Sequence, residues 1–462
     1  MKKLQEIPRK NIIQFCVSLL IAIIVFVVRP LGMTFQQSGV LAVTLLVIIW
    51  WALGTVPRTY ASLLLLAFYL FFSGAPAKTV FTFPLSSNFL LIIFSFLFSQ
   101  GISNSKLADK LLTPVLMKFC NSTFKLLLMI IFLNFIMVFV IPQPFSRIII
   151  LSAIFKTFFD KLELNPEQSS IWMLALYICS VIVNMSMLRG DIILNSSLLS
   201  MAGSTISEGT WLTYMLPPTV IYLIIALVLY CIQNKKVIKS ISFRKAGTSV
   251  AETQNEKTVL SSKEKIYLAF ILFVVVVWAL ESIHGISGVI IVIAATVIMF
   301  LAGLLRLPDL KSVNVGLIIF LTGAFAIGGT LRASGAADII FSAFARIFPG
   351  EYSLYYVLLI LICAVILHMF LGSNVTTMSI VAPGMMSICA GTVSEEILIF
   401  TILIGICGHF LLPFHHVILL LGEGSGHYNT KLLMRFGILL TLLLFAAMFA
   451  LYLPWWSLLS LS

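Results

Sequence analysis

Charged side chains are scarce in this chain: Asp, Glu, Lys and Arg make up 10% of its 462 residues, whereas hydrophobic residues make up 60%. A soluble globular domain carries about 25% charged residues, so this composition excludes a soluble fold and indicates a polytopic membrane protein. The acidic types are the scarcer ones, and the net charge is +12. Because no basic segment is interleaved with aromatic residues, we expect no nucleic-acid partner and place most Lys and Arg in cytoplasmic loops.

The sequence also lacks paired cysteine motifs, ATP-binding motifs and a catalytic triad. The seven cysteines are scattered, none lies in a C-x-x-C motif, and most fall in apolar stretches, where cysteine behaves as a small hydrophobe. Such spacing favours neither disulfides nor a metal site. The longest polar segment, residues 233–265, contains no histidine. We therefore expect a protein that is not an enzyme and that holds no resident metal or cofactor, with sodium as the candidate coupling ion.

Apolar stretches of 15 to 20 residues recur along the whole chain. They predict an all-α membrane protein with about eleven transmembrane helices, two of which are broken near their middle. The unbroken spans are predicted at residues 12–28, 38–55, 59–73, 87–104, 212–232, 266–283, 287–304, 315–332 and 430–453.

The second half of the chain repeats the first. Residues 47–74 resemble 275–303, and residues 98–112 resemble 326–340. Each repeat contains an odd number of membrane elements, so the two repeats must have opposite orientations, as in many secondary transporters. The predicted segments are an N-terminal first helix (1–37), the first repeat (38–232), a cytoplasmic linker (233–265) and the second repeat (266–462).

Basic residues predict the orientation of the chain. With the N-terminus in the cytoplasm and the C-terminus outside, 23 of the 29 Lys and Arg fall in cytoplasmic segments and four fall outside. This asymmetry is the one expected of a multi-pass protein of the cell membrane. Residues 105–120 and 334–347 are amphipathic and are predicted to lie along the membrane surface, each joining a span to a hairpin.

Two half-length apolar hairpins occupy corresponding places in the repeats, at residues 126–159 and 355–388, and both have polar tips. Each arm has about 15 residues, or roughly 23 Å of helix, which is short of a bilayer crossing. A polar turn at membrane depth is tolerated only where it is buried in protein or lines a cavity. Together with the broken helices at 169–202 and 395–427, these re-entrant hairpins mark the expected binding site.

The first tip and the first break carry the candidate anion-binding residues Gln143, Ser146, Arg147 and Arg189. An arginine at membrane depth needs a partner or a wet cavity. Two arginines that converge on one cavity would suit a carboxylate, sulfate or phosphate, because the guanidinium fork binds planar anions bidentately. Alternatively, Arg147 or Arg189 pairs with Asp191 and stabilises the fold.

The second tip and the second break supply further candidates, all of them polar residues inside apolar stretches. The predicted substrate-binding residues here are Ser373, Asn374, Thr376, Thr377, His415 and His416. The simpler alternatives are local capping for the hydroxyl and amide groups and a satisfied core position for the histidines. A cation-coupling site is predicted from Asp191, Ser373, Asn374, Thr377 and Glu423.

The order of parts resembles the divalent anion/sodium symporter family of the ion-transporter superfamily, over about residues 40–455. The resemblance implies an elevator-type homodimer that carries dicarboxylates, tricarboxylates or sulfate, usually with sodium. A Ser-Asn-Thr triplet at each hairpin tip is the signature of that family and binds substrate and sodium together with the breaks. Here Ser373-Asn374-Val375 keeps part of the second triplet, and Pro142-Gln143-Pro144 stands in place of the first.

These observations together predict a secondary active transporter of small organic or inorganic anions, working by sodium symport or anion exchange. Because Arg147 follows a tip that lacks the family's triplet, we hypothesise that its fixed charge stands in for the first sodium. One alternative is a cation/proton antiporter of the same superfamily, with Asp191 and Glu423 as buried carboxylates. Another is a membrane-embedded transferase acting on a lipid-linked substrate, with His415, His416 or Asp191 as base.

Overall fold

The computed structural model describes residues 9–141, 143–243, 260–280, 284–371, 374–389 and 391–460, and within these ranges all regular structure is helical. The helices of the first half are α1 Arg9–Val28, α2 Phe35–Leu53, α3 Arg58–Phe72, α4 Ala77–Val80, α5 Ser87–Ser105, α6 Leu107–Phe119, α7 Thr123–Val140, α8 Pro144–Lys161, α9 Pro166–Met185, α10 Ile192–Ala202, α11 Glu208–Gln233 and α12 Lys235–Lys239. Those of the second half are α13 Ser262–Ala279, α14 Gly288–Leu301, α15 Val315–Ala333, α16 Ala336–Ala345, α17 Leu354–Leu371, α18 Asn374–Ile388, α19 Glu395–Cys407, α20 Val417–Gly424, α21 Thr430–Ala447 and α22 Leu453–Leu458.

Five helical segments in the described part of the chain are long and apolar enough to cross a membrane. They are α7, α9, α11, α15 and the continuous run Thr430–Leu458, in which a five-residue π-turn joins α21 to α22. Helices α5 and α6 are bent relative to each other and would form a sixth span if they are counted as one helix. Several other apolar helices are shorter than these five segments. The all-helical membrane fold is therefore confirmed, and the number of eleven spans stays a prediction.

Helices of the two halves pack on one another in a reciprocal way. Helix α3 packs on α15 and α14 packs on α5, and in chain order α14 corresponds to α3 and α15 to α5. Within the halves, α7 packs on α9 as α17 packs on α19. Small residues allow the close crossings: a Cβ on Gly101 of α5 would lie 2.4 Å from Met299 Sδ of α14, and one on Gly323 of α15 would lie 3.1 Å from Ser62 Cβ of α3. This reciprocity is what two repeats would produce, although the predicted repeat boundaries remain a prediction.

The most deeply buried helices are the first parts of the two broken helices. Helix α9 begins with a capping box formed by Asn165 and Gln168. In its most apolar stretch of 18 residues, 89% of the residues are buried. In α19 every residue from 397 to 407 is buried. A short 3-10 turn follows each of them, Leu188–Asp191 after α9 and Pro413–His415 after α19, before the chain resumes as α10 and α20. The two breaks therefore lie in the interior of the protein, where backbone groups need partners.

Candidate functional site

Each break packs against the hairpin of the other half. Helix α10, which follows the first break, contacts α18 of the second hairpin, and α20, which follows the second break, contacts α8 of the first hairpin. The end of α7 with the start of α8, and the end of α17 with the start of α18, mark the two hairpin tips. This crossed packing places each break beside the hairpin of the other half.

Arg147 is the only arginine among the fully buried side chains of the described residues, with 0% exposure. Its Nη1 donates to the carbonyl oxygen of Ile141 at 2.9 Å, and its Nη2 donates to Asn184 Oδ1 and to the carbonyl oxygen of Gly190. All three acceptors are neutral, and they come from the hairpin turn, the end of α9 and the first break. In the described part of the chain the ion pairs are Lys110–Glu264, Lys156–Asp160 and Arg189–Glu208, so none of them involves Arg147.

The three oxygens around Arg147 form the kind of donor set that binds a hard cation. Carbonyl and amide oxygens are the groups that alkali and alkaline-earth ions prefer in proteins. Here the guanidinium binds all three, one through Nη1 and two through Nη2. The carboxylate of Asp191 acts on this guanidinium electrostatically but makes no ion-pair contact with it. A buried cation is costly, and a negatively charged ligand in direct contact with it would lower that cost.

The first break depends on a glycine and on an asparagine that sequence reasoning missed. A Cβ on Gly190 would lie 2.4 Å from the backbone oxygen of Asn184, so only glycine fits this turn. Asn195 Nδ2 donates to the carbonyl oxygens of Asn184 at 3.0 Å and Met187 at 2.9 Å. These bonds satisfy carbonyls that the break would otherwise leave without partners. A signal was present in the sequence, since polar residues at 184 and 195 flank the break inside apolar runs.

Asp191 caps α10 at its N-terminus. Its Oδ1 accepts the backbone N–H of Leu194 at 3.1 Å, so the positive end of this half-helix is already matched by a carboxylate of the same chain. The N-terminal end of a half-helix favours an anion when no side chain of the protein caps it. At the second break that condition holds, because the first residues of α20 have no side-chain cap.

Arg189 contacts groups different from those that bind Arg147, although the sequence analysis considered a convergence of the two arginines on one cavity. Its Nε is 3.5 Å from Glu208 Oε2 at the start of α11, and its guanidinium carbon lies 5.9 Å from the ring centre of Trp278. The backbone N–H of Arg189 also donates to Glu208. The ion-pair partner of Arg189 is therefore Glu208 and not Asp191. This geometry assigns Arg189 a structural role, because its side chain connects the first break with α11 and α13.

This assignment predicts that Arg189→Gln and Glu208→Gln each lower the thermal stability, whereas the double variant recovers most of the loss. A partly exposed pair of this kind contributes about 1 kcal/mol or less, and a double-mutant cycle isolates it. We expect transport by the double variant to stay within about twofold of the wild type. A double variant that is stable but inactive would show instead that Arg189 binds the substrate.

Four of the six histidines meet at the second break, all of them buried. They are His368 of α17, His409 after α19, and His415 and His416 at the break itself. The ring centre of His368 lies 5.2 Å from that of His409, 5.1 Å from that of His415 and 5.8 Å from that of His416. The sequence analysis identified His415 and His416, whereas nothing in the sequence places residue 368 beside residue 409.

The second hairpin tip touches this histidine cluster through one asparagine. Asn374 Nδ2 lies 3.1 Å from His416 Nδ1 and 3.5 Å from Cys407 Sγ. Thr376 and Thr377 are fully buried in the first turn of α18. Ser373, the remaining candidate of this tip, lies outside the described residues.

The other predicted residues occupy more varied positions. Gln143 is fully buried at the first tip, and its backbone oxygen accepts the N–H of Arg147 at 3.2 Å. Ser146 lies on the first turn of α8. Glu423 lies in the last turn of α20 and accepts the hydroxyl of Thr430, so the structure does not bring it to the break. Among the described residues no group of three or more His, Cys, Asp or Glu is arranged to hold a metal ion.

A comparison with known protein families covers almost the entire chain. The sequence model of the family described as the sodium:sulfate symporter transmembrane region matches residues 9–462 and so includes both hairpins and both breaks. The chain belongs to this family. At the level of this family, whose transport is coupled to sodium, the chain is a multi-pass membrane transporter of anions and is not an enzyme. No curated protein matches the chain. The predicted membership of the divalent anion/sodium symporter family is thereby confirmed.

Proposed function

We propose that this symporter-family protein is a secondary active transporter of small multivalent anions, such as sulfate or a di- or tricarboxylate, and that Arg147 is its main substrate-facing cation. The observation that carries the proposal is a guanidinium with 0% exposure beside a hairpin tip, whose hydrogen bonds go to three neutral oxygens. Asp191 acts on it electrostatically, but the two form no ion pair within contact distance. A bound anion would neutralise this charge, and the bidentate fork suits carboxylate and sulfate oxygens.

Arg147 takes the place of a coupling sodium in this proposal. The oxygens of Ile141, Asn184 and Gly190 would suit a sodium ion, and they all bind the guanidinium instead. A carrier with a built-in cation needs substrate to neutralise it before crossing the membrane. This requirement favours exchange of one anion for another over sodium symport at this half of the site.

Alternating access is proposed to follow an elevator movement in a homodimer. The helices of residues 38–104 and 266–332 would form the stationary scaffold, which the α3–α15 and α5–α14 contacts support. Helices α6 and α16 pack on α8 and α18, so they are placed to link this scaffold to the moving hairpins. The two hairpins and the two broken helices would then move as one block with the anion.

The alternative functions have less support from the geometry. A cation/proton antiporter would need exchangeable buried carboxylates, but Asp191 caps α10 and Glu423 binds Thr430. A transferase would need a base that faces one membrane surface, whereas His415 and His416 are buried at 1% and 5% exposure. Neither observation favours a second candidate function.

The test is uptake of radiolabelled sulfate, succinate and citrate by purified protein in proteoliposomes. Each anion is offered in sodium and in sodium-free choline buffer, with unlabelled anion either trapped inside or absent. We expect sodium-independent uptake that requires trapped anion. Uptake that strictly requires an inward sodium gradient would overturn the sodium-replacement part of the proposal, and absence of uptake for all three would overturn the substrate class.

A further inference from the structure

Two histidine rings in the second half face each other across a gap that suits a shared proton. The Nδ1 atom of His368 lies 3.4 Å from the Nε2 atom of His409. Both side chains have 0% exposure, so no bulk water reaches either nitrogen. Which of the two nitrogens donates depends on what their opposite ring nitrogens do, since a neutral imidazole carries one N–H.

The far nitrogen of His368 must carry a hydrogen. Its Nε2 lies 3.0 Å from the backbone carbonyl oxygen of His415. A carbonyl oxygen can only accept, so Nε2 is the donor and the single N–H of a neutral ring is used there. The Nδ1 atom that faces His409 is therefore a lone pair.

The same reasoning applies to His409. Its Nδ1 lies 3.3 Å from Thr441 Oγ1, and that hydroxyl donates its one hydrogen to the carbonyl oxygen of Gly437 at 2.8 Å. Thr441 thus offers His409 only a lone pair, and Nδ1 of His409 carries the ring hydrogen with this assignment. The Nε2 atom that faces His368 is then a lone pair too.

Of the other two histidines, His416 has hydrogen-bond partners at both ring nitrogens and His415 has one at Nδ1. His415 Nδ1 accepts the N–H of Leu411 at 3.1 Å. His416 Nε2 donates to the carbonyl oxygen of His409 at 3.1 Å, and its Nδ1 accepts from Asn374. The two facing lone pairs of His368 and His409 are therefore where one additional proton would form a new N–H···N hydrogen bond.

We propose that the His368–His409 pair binds one proton together with the substrate anion, so that the proton is a coupling ion of the transport cycle. The inference rests on the proposed anion-transport function. It adds a coupling site in the second half, separate from the place where Arg147 is proposed to replace sodium. The proton is shared by the pair and belongs to neither ring alone.

Titratable and charged groups around the pair come from several elements. His415 and His416 lie on the second break, and Cys407 lies at the end of α19. Asp191 at the first break is close enough to act electrostatically on Cys407, and Arg147 acts on Asp191 in turn. Helix α21 presents the uncharged Thr441. Next to the pair itself the neighbours are thus neutral groups.

An added proton leaves a positive charge in this buried pair, which requires a nearby negative charge. The substrate anion would supply it through the Asn374–His416 contact at the second tip. Binding of the proton then raises the affinity of the protein for the anion, and binding of the anion raises its affinity for the proton by the same factor. This is because coupling between two binding sites is reciprocal. This linkage ties anion movement to proton movement without any sodium.

The test uses proteoliposomes with a pH-sensitive dye trapped inside and radiolabelled sulfate, succinate or citrate outside. Exchange at equal pH on both sides reports anion transport alone. An imposed inward proton gradient reports proton coupling. Uptake should rise about tenfold for each unit by which the outside pH is lowered, as long as the His368–His409 pair is mainly unprotonated. Uptake should also acidify the interior.

His368→Gln tests the pair, and His409→Gln is the second variant in case the first does not fold. Either is expected to reduce the response to the gradient from about tenfold to under twofold per pH unit. The matched control is His284→Gln, since that exposed ring bonds only to local backbone groups and should keep the full response. Because each value is a ratio to exchange at equal pH, a general loss of protein does not mimic the result.

The outcomes separate this inference from the proposed function. Exchange that persists while uptake ignores the proton gradient and the interior pH stays constant would overturn proton coupling and leave the anion transporter intact. A normal gradient response in both variants would overturn the assignment to His368 and His409. If none of the three anions is exchanged, the proposed function fails and the coupling inference fails with it.

Discussion

Arg147→Ala should abolish sodium-independent anion uptake, with a loss of about a hundredfold or more. Removing one partner of a buried, hydrogen-bonded charge pair costs about 2–5 kcal/mol, and each 1.4 kcal/mol is a factor of about ten. The same change leaves the oxygens of Ile141, Asn184 and Gly190 facing the vacated space. We therefore expect sodium to restore part of the uptake in this variant, because such oxygens bind hard cations.

The measurement is initial uptake of the substrate anion in proteoliposomes as sodium replaces choline. Arg346→Ala is the matched control, since that side chain is exposed and should leave uptake unchanged. Arg147→Lys keeps the charge but loses the planar fork, so intermediate activity is expected. Undiminished uptake by a folded Arg147→Ala variant would refute a substrate-facing role for this residue.

Gly190→Ala should destabilise the protein and reduce transport by at least about tenfold, because overpacking of a buried site costs about 1–3 kcal/mol. The added Cβ would lie 2.4 Å from the backbone oxygen of Asn184 and 2.9 Å from its carbonyl carbon. Backbone atoms cannot move aside as a flexible side chain can, so the break itself has to shift. That shift would displace the Gly190 carbonyl oxygen that holds Arg147.

Thermal unfolding of the purified protein, followed by uptake, measures both effects of Gly190→Ala. Gly209→Ala is the matched control, because its Cβ would meet only Ser207 Oγ, at 3.8 Å, near the start of α11. Alanine is a better helix former than glycine, so this control should be unchanged or slightly stabilised. Equal stabilities for the two variants would show that the first break tolerates a side chain.

Most of the helices could be predicted from the sequence to within a few residues. The predicted hairpin at 126–159 corresponds to α7 and α8, and the first break, predicted at Arg189 within the broken helix 169–202, is the 3-10 turn Leu188–Asp191. Long apolar runs and local interruptions determine these features, and both are properties of neighbouring residues. Asn165 and Gln168 likewise form a cap that depends only on local spacing.

The partners of the polar side chains could not be predicted in the same way. Asp191 was considered as a partner for Arg189, but the structure pairs Arg189 with Glu208 and lets Asp191 cap a helix. His368 and His409 are 41 residues apart and come together only because α17 packs on α19. The direction of each side chain depends on the packing of its helix against others.

By itself, the sequence determined that this protein is an all-helical membrane protein with polar hairpin tips and interrupted helices, and it pointed to the transporter family that the family match supports. These conclusions depend on hydrophobicity, which acts along the chain and needs no knowledge of distant contacts. The tertiary structure alone decided that three neutral oxygens surround Arg147 and that four histidines form one cluster. Buried polar groups must find partners wherever the packing of helices provides them, and that packing brings together residues from both halves of the chain.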